Sequence, residues 1–172
     1  VFVSIAAGNV GENIMDSGPS SSAGAVAVGS IDFDGTRSTI SNAGANNGLL
    51  APGESIYSLR SIDSYDPKKS PKATKYYYKQ SGTSFASPMV AGTASLLLAK
   101  NPDLTNAQVE DILQATATDM YDPGWDGQSG AGLLNAAKAL RTDAAHLLTV
   151  KITKLRPNWK EKTKLVSIDI FA

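Results

Sequence analysis

Ser84 stands in Gly82-Thr83-Ser84-Phe85-Ala86-Ser87-Pro88, where a loop gives way to a long apolar stretch of helical character. A serine at such a junction faces the positive end of a helix dipole and backbone N–H groups that lack helical partners. A developing oxyanion is stabilised there, so the hydroxyl is well placed to attack a carbonyl. Taken alone, an ordinary helix N-cap is the simpler reading. The segment is also not a G-x-S-x-G elbow, because Ala86 holds the last glycine position. Asn9 closes the run Ala6-Ala7-Gly8-Asn9 and, by itself, reads as a turn residue. His146 is the only histidine; it opens a basic tail and reads as a surface residue rather than a base. Asp119, Asp122 and Asp126 gather around Gly124 with oxygens suited to a hard cation. Their spacing is not that of an EF-hand, and solvated loop carboxylates are the better reading.

The elements that must hold these residues follow from hydrophobic pattern and punctuation. Val1–Ala7 reads as a buried strand entering a turn at Gly8-Asn9, and Ala25–Gly29 as a second strand of small residues covered on both faces. Short strands are expected around Thr39-Ile40, Ile56-Tyr57 and Tyr76–Tyr78, the last two separated by a lysine-rich excursion. Ser84–Ala99 is apolar almost all round and predicts a buried helix. Pro88 fits it only in the first turn, which puts the helix start close to Ser84. Thr105-Asn106-Ala107-Gln108 is a capping box flanked by Leu104 and Val109 at staple positions, and Val109, Ile112, Leu113 and Thr116 form one face. A short helix is expected around Leu134–Leu140. In the tail, Leu148, Val150 and Ile152, then Val166, Ile168 and Ile170, alternate with polar residues, the pattern of a β-hairpin.

Composition narrows the function classes. The 172 residues are 42% hydrophobic and 19% charged, which excludes a disordered or collagen-like chain. Lys+Arg and Asp+Glu are 16 each, without the basic excess of a nucleic-acid binder. The balance is uneven, with the body about −4 and residues 146–172 about +4. Cysteine is absent, which excludes a disulfide scaffold, a thiolate zinc site and a cysteine nucleophile. No apolar run reaches the roughly 18 residues of a membrane-spanning helix. Val1 opens directly on strand-like residues, so the chain reads as a fragment or processed piece. The expected organisation is a main domain over 1–145 and the start of an incomplete β module over 146–172.

The string Gly82-Thr83-Ser84-Phe85-Ala86-Ser87-Pro88-Met89-Val90-Ala91-Gly92 resembles the nucleophile motif of subtilisin-like serine peptidases, the subtilases. Met89 departs from it where that family usually has a non-catalytic His. In order along the chain, Ala6-Ala7-Gly8-Asn9 looks like the oxyanion segment of the family. Val26–Ile31, Ala51-Pro52-Gly53 and Gly130–Ala136 match further family segments, so the resemblance covers about residues 1–142.

The resemblance implies an α/β three-layer fold with a mostly parallel sheet, here only its C-terminal half, to which the β-hairpin read from the alternation of the tail is added. It implies peptide-bond hydrolysis through an acyl-enzyme on Ser84, with Asn9 donating to the oxyanion and Ala6, Ala7 and Gly8 walling the first specificity pocket. The substrate would be a polypeptide, and the location secreted or cell-envelope. No cofactor is needed for the chemistry. Structural calcium is known in the family, but the matching positions Asn46 and Gly48 lack acidic ligands. The family's Asp-[Ser/Thr]-Gly and His-Gly-Thr-His motifs do not occur, so the chain by itself is expected to be inactive. The alternative is a pseudopeptidase or peptide-binding domain on the same fold. Half a parallel sheet also predicts an open edge through which copies self-associate.

Overall fold

The computed structural model describes residues 1–16, 18–61, 76–142, 150–156 and 165–170, with only the backbone described in the last two segments. The chain divides into two compact units, Val1–Arg141 and Thr142–Ala172.

In the first unit, β1 (Ser4–Ala6), β2 (Val26–Ile31) and β3 (Asn47–Pro52) form a parallel sheet in that order. β2 is central and buried at every position, as its run of small apolar residues requires. β1 is shorter and more exposed than the largely apolar run Val1–Ala7 suggests. It lies at the sheet edge and is only half-buried, and Val1 and Val3 are exposed. β3 was not anticipated as a strand; Leu49, Leu50 and Ala51 are fully buried in it. The Gly130–Leu134 segment runs beside it, with Leu50 N–H donating to Gly132 O and Leu134 N–H to Leu50 O. Thr39-Ile40, expected to be extended, is a turn closed by Ser41 N–H to Ser38 O. The buried Ser41 hydroxyl accepts from Ser30 N–H, so local β-propensity gives way to a tertiary bond.

Helix α1 (Thr83–Lys100) packs against all three strands through Ala86, Val90, Ala94 and Leu97. It is not buried all round. Pro88, Gly92, Ser95, Leu96 and Ala99 are exposed, because the sheet covers one side only among the described residues. Pro88 is the sixth helical residue rather than a first-turn residue, so the Ser84 carbonyl has no i+4 amide to accept from. Helix α2 (Asn106–Thr116) starts at Thr105 with both halves of the capping box formed, and buries Val109, Ile112, Leu113 and Thr116. Helix α3 (Ala136–Arg141) packs on α1 and α2.

Two further strands, β4 (Ile56–Leu59) and β5 (Tyr77–Gln80), pair antiparallel in a separate sheet. In the second unit β6 (Val150–Arg156) and β7 (Leu165–Ile170) pair antiparallel, Val150 opposite Ile170, as the period-two pattern predicts. The architecture is α/β with a parallel sheet and helices, plus this hairpin.

Candidate functional site

Three carboxyl-terminal strand ends converge where ligands bind in open parallel sheets. β1 runs out into Gly8-Asn9, β3 into Gly53, and Gly53 O accepts from Gly82 N–H at 2.8 Å. That bond brings the start of α1 to the end of the sheet. Gly82 is the N-cap, with φ +149°, a conformation favouring glycine. It supplies no side chain to cap the helix, and the first amides are left for other partners.

Asn9 takes one of them. Its Oδ1 accepts from Thr83 N–H at 2.8 Å and from Thr83 Oγ1 at 2.9 Å. The Thr83 hydroxyl in turn accepts from Gly8 N–H at 3.2 Å. With its oxygen engaged twice, the Asn9 amide is fixed in orientation and presents Nδ2 as a donor. Nδ2 has no partner among the described residues and lies next to Gly82, where a Cβ would stand 3.4 Å from it. Ser84 follows Thr83 and is exposed. Neither its hydroxyl nor its backbone N–H has a partner among the described residues. The structure therefore brings together an open hydroxyl, a free helix-start amide and an oriented side-chain amide, the elements of acyl-transfer chemistry.

The Ala6–Gly8 segment lies alongside. Ala7 is fully buried and its N–H donates to Val28 O at 3.0 Å, while Ala6 and Gly8 are half-buried. Gly8 uses both its polar groups internally, its N–H on Thr83 and its C=O on Asn42 N–H at 3.0 Å.

Asn42 is a residue that the motif reading missed. It is buried, and its Oδ1 accepts from Val10 N–H and Glu12 N–H, both at 3.1 Å. Together with its backbone bond to Gly8 it clamps the loop on either side of Asn9. Its only sequence signal is a buried-type asparagine in Ser41-Asn42-Ala43-Gly44, indistinguishable from a loop.

The other candidates lie elsewhere. His146 falls outside the described residues. Asp119 and Asp126 have their carboxylates engaged in loop bonds, Asp119 Oδ2 with Gly124 N–H and Asp126 with Ser129 and Gln128. Burial pushes the Asp126 carboxyl up, but the bonds from Ser129 and Gln128 outweigh it and hold it below its usual range. Asn46 donates its side-chain amide to Ser20 O at 2.7 Å, and Gly48 has no side chain, so these positions do not fit a calcium ion. No cluster of three or more His, Cys, Asp or Glu side chains placed to hold a metal occurs among the described residues. Nor is any described helix long and apolar enough to cross a membrane.

Known proteins resemble this chain in sequence and in fold. Serine protease AprX of Bacillus subtilis (strain 168) is 35% identical over 81% of this chain and 35% of its own length. Subtilisin E of the same organism is 38% identical over 81% of this chain and 33% of its own. Among solved structures, a lanthipeptide protease superposes with a TM-score of 0.72 at 28% identity, covering 82% of this chain and 50% of that one. Fervidolysin from Fervidobacterium pennivorans gives 0.71 at 30% identity, covering 86% and 23%. The chain spans about a third to a half of the length of the curated relatives it matches. The subtilase family model (Peptidase S8) matches residues 1–132, more than half of the chain, and the chain belongs to the subtilase family.

Proposed function

We propose that this chain carries the nucleophile and oxyanion site of a serine endopeptidase acting on polypeptides. The observation that carries the reading is the fixed Asn9 amide beside the open Ser84 at the start of α1. In the reaction, Ser84 Oγ adds to the scissile carbonyl carbon and its proton passes to a base. The carbonyl oxygen becomes an oxyanion held by Asn9 Nδ2 and Ser84 N–H. Collapse expels the amine, which takes up a proton, and leaves an acyl group on Ser84. Water then repeats the sequence and frees the acid. Ala6, Ala7 and Gly8 wall the pocket for the residue before the scissile bond.

The base must come from outside these 172 residues, since neither family motif for the Asp or the His occurs in them. By themselves they are a nearly inactive piece. In subtilisin, loss of the base costs on the order of 10⁶ in turnover. On this reading, residues 1–145 are the C-terminal part of the peptidase domain, and 146–172 begin a β module. The location is secreted or cell-envelope. The half-buried strand β1 at the sheet edge supports self-association of the isolated chain. A pseudopeptidase that only binds peptides is the second reading.

A fluorophosphonate probe separates the two. The full-length protein is expected to label at Ser84, as read by peptide mass spectrometry, and Ser84→Ala to abolish labelling. A full-length protein that binds peptides but does not label would leave the pseudopeptidase.

A further inference from the structure

The β4–β5 hairpin presents a face of unusual composition that no described residue covers. Tyr57 stands opposite Lys79 and Leu59 opposite Tyr77, and antiparallel partners project to the same side. Tyr57 is 63% exposed and Leu59 75%, and Phe33, on the turn after β2, adds a ring that is 76% exposed. The Lys79 ammonium sits 5.4 Å from the Tyr57 ring centre and 5.9 Å from that of Phe33, cation–π distances for both. Lys79 forms no ion pair among the described residues. Asp32, near in sequence to Phe33, has its carboxylate engaged by Asp34 N–H and by Thr36, and Asp34 makes no ion pair with Lys79. A cation is thus held on two exposed rings, beside exposed leucine, without a counter-charge among the described residues.

We propose that this face binds the part of a polypeptide substrate that flanks the scissile bond, at a segment pairing an aromatic or large apolar residue with an aspartate or glutamate. The inference rests on the reading of Ser84 as nucleophile. Continuity with that site supports it. β5 ends at Gln80, four residues before Ser84. The inner ends of the hairpin are tied to the segment leading to Ser84, through Gly82 N–H to Gly53 O at 2.8 Å and Ser55 N–H to Ser81 Oγ at 2.9 Å. At about 3.4 Å per extended residue, Lys79 lies at most roughly 17 Å of chain from Ser84, a reach of about three to five substrate residues. Charge supports it too, since the unpaired ammonium selects a carboxylate while Tyr57, Phe33 and Leu59 select the apolar neighbour.

The test is fluorescence anisotropy on the full-length protein carrying Ser84→Ala, which prevents turnover, with labelled peptides containing Phe-Glu, Phe-Gln or Ala-Glu in an otherwise constant sequence. The Phe-Glu peptide is expected to bind about five- to tenfold tighter than either twin, with the gap to Phe-Gln narrowing as salt rises. Lys79→Gln is expected to erase that gap. Tyr57→Ser is expected to weaken the Phe-Glu peptide and leave the Ala-Glu peptide nearly unchanged, and circular dichroism checks that both variants fold. Equal affinities for the three peptides, no binding, or a Lys79→Gln chain that keeps the preference would overturn the proposal. So would dimerisation in sedimentation that Leu59→Glu abolishes and the peptide does not compete with, which would assign the face to a second copy. The assay needs no catalysis. Lys79-dependent binding, with a wild type that fails to label at Ser84, would sink the nucleophile reading alone, and wild-type labelling without such binding would sink this one alone.

Discussion

Thr83 holds Asn9 by two bonds, its N–H and its hydroxyl both donating to Asn9 Oδ1 at 2.8 and 2.9 Å. Since the same hydroxyl also accepts Gly8 N–H, one buried oxygen links the loop after β1 to the first turn of α1. The orientation of the donor amide is therefore decided by a residue that itself faces the interior.

Thr83→Val keeps the shape and removes that oxygen. Gly8 N–H then loses its acceptor and Asn9 Oδ1 one of its donors. The expected cost is about 1–2 kcal/mol, measured as a fall in the urea midpoint. Faster hydrogen exchange at Gly8 is expected with it, and an unchanged Gly8 rate would show that the hydroxyl does not hold the loop.

Asn42→Ala removes the acceptor for two amides at once. Val10 N–H and Glu12 N–H lose their bond and a small cavity opens under the loop. A loss of about 2–4 kcal/mol follows from two unsatisfied donors, reduced by any water that enters. On the proposed role of Asn9 as oxyanion donor, turnover of the full-length protein should drop more than substrate binding weakens, because Asn9 loses its fixed position. Equal activity after correction for folded fraction would show that the loop needs no such clamp.

How far these roles could be read in advance depends on the distance over which each residue acts. The α2 capping box is local chemistry among Thr105–Gln108 and forms as its spacing requires. β2 was legible because a run of small apolar residues has no other stable place than a sheet centre. β3 was hidden, since Asn46-Asn47-Gly48 and Pro52-Gly53 punctuate it like a loop and only its burial against β2 makes Leu49–Ala51 a strand. The motifs marked the Asn9 and Gly82–Ser84 segments that Thr83 ties together, but not Asn42, whose bonds reach back 30 and 32 residues. The all-apolar look of α1 misled for a related reason. Sequence reports that a helix face is fit to be covered, whereas its cover lies in other elements, and here Leu96 is 54% exposed.

Gly82→Ala tests the entry to α1. At φ +149° an alanine is strained, and its methyl would lie 3.4 Å from Asn9 Nδ2. The expected destabilisation is about 1–3 kcal/mol by thermal or urea unfolding. On the proposed role of Asn9, a larger fall in Ser84 labelling by the probe should appear in the full-length protein, because the methyl packs against Asn9 Nδ2. Labelling that declines only in step with folded protein would separate backbone strain from any effect on the site.

Asp126 gives a pH dependence whose sign is fixed by its bonds. Its carboxylate accepts from Ser129 Oγ, Ser129 N–H and Gln128 N–H, and its pKa lies below the unfolded value. A depressed carboxyl pKa stabilises the fold above the unfolded pKa, and that stabilisation is lost as pH falls through the folded one. Asp126→Asn removes the titrating group while keeping an acceptor oxygen. The wild type should therefore lose more stability than the variant between about pH 5 and pH 2, the range in which such a carboxylate is protonated. Above about pH 6 the two curves should run parallel, the variant lower because a neutral acceptor makes weaker bonds than a carboxylate. Parallel curves down to pH 2 would mean that Asp126 titrates as it does in the unfolded chain, and that the 126–130 turn is not held by its charge.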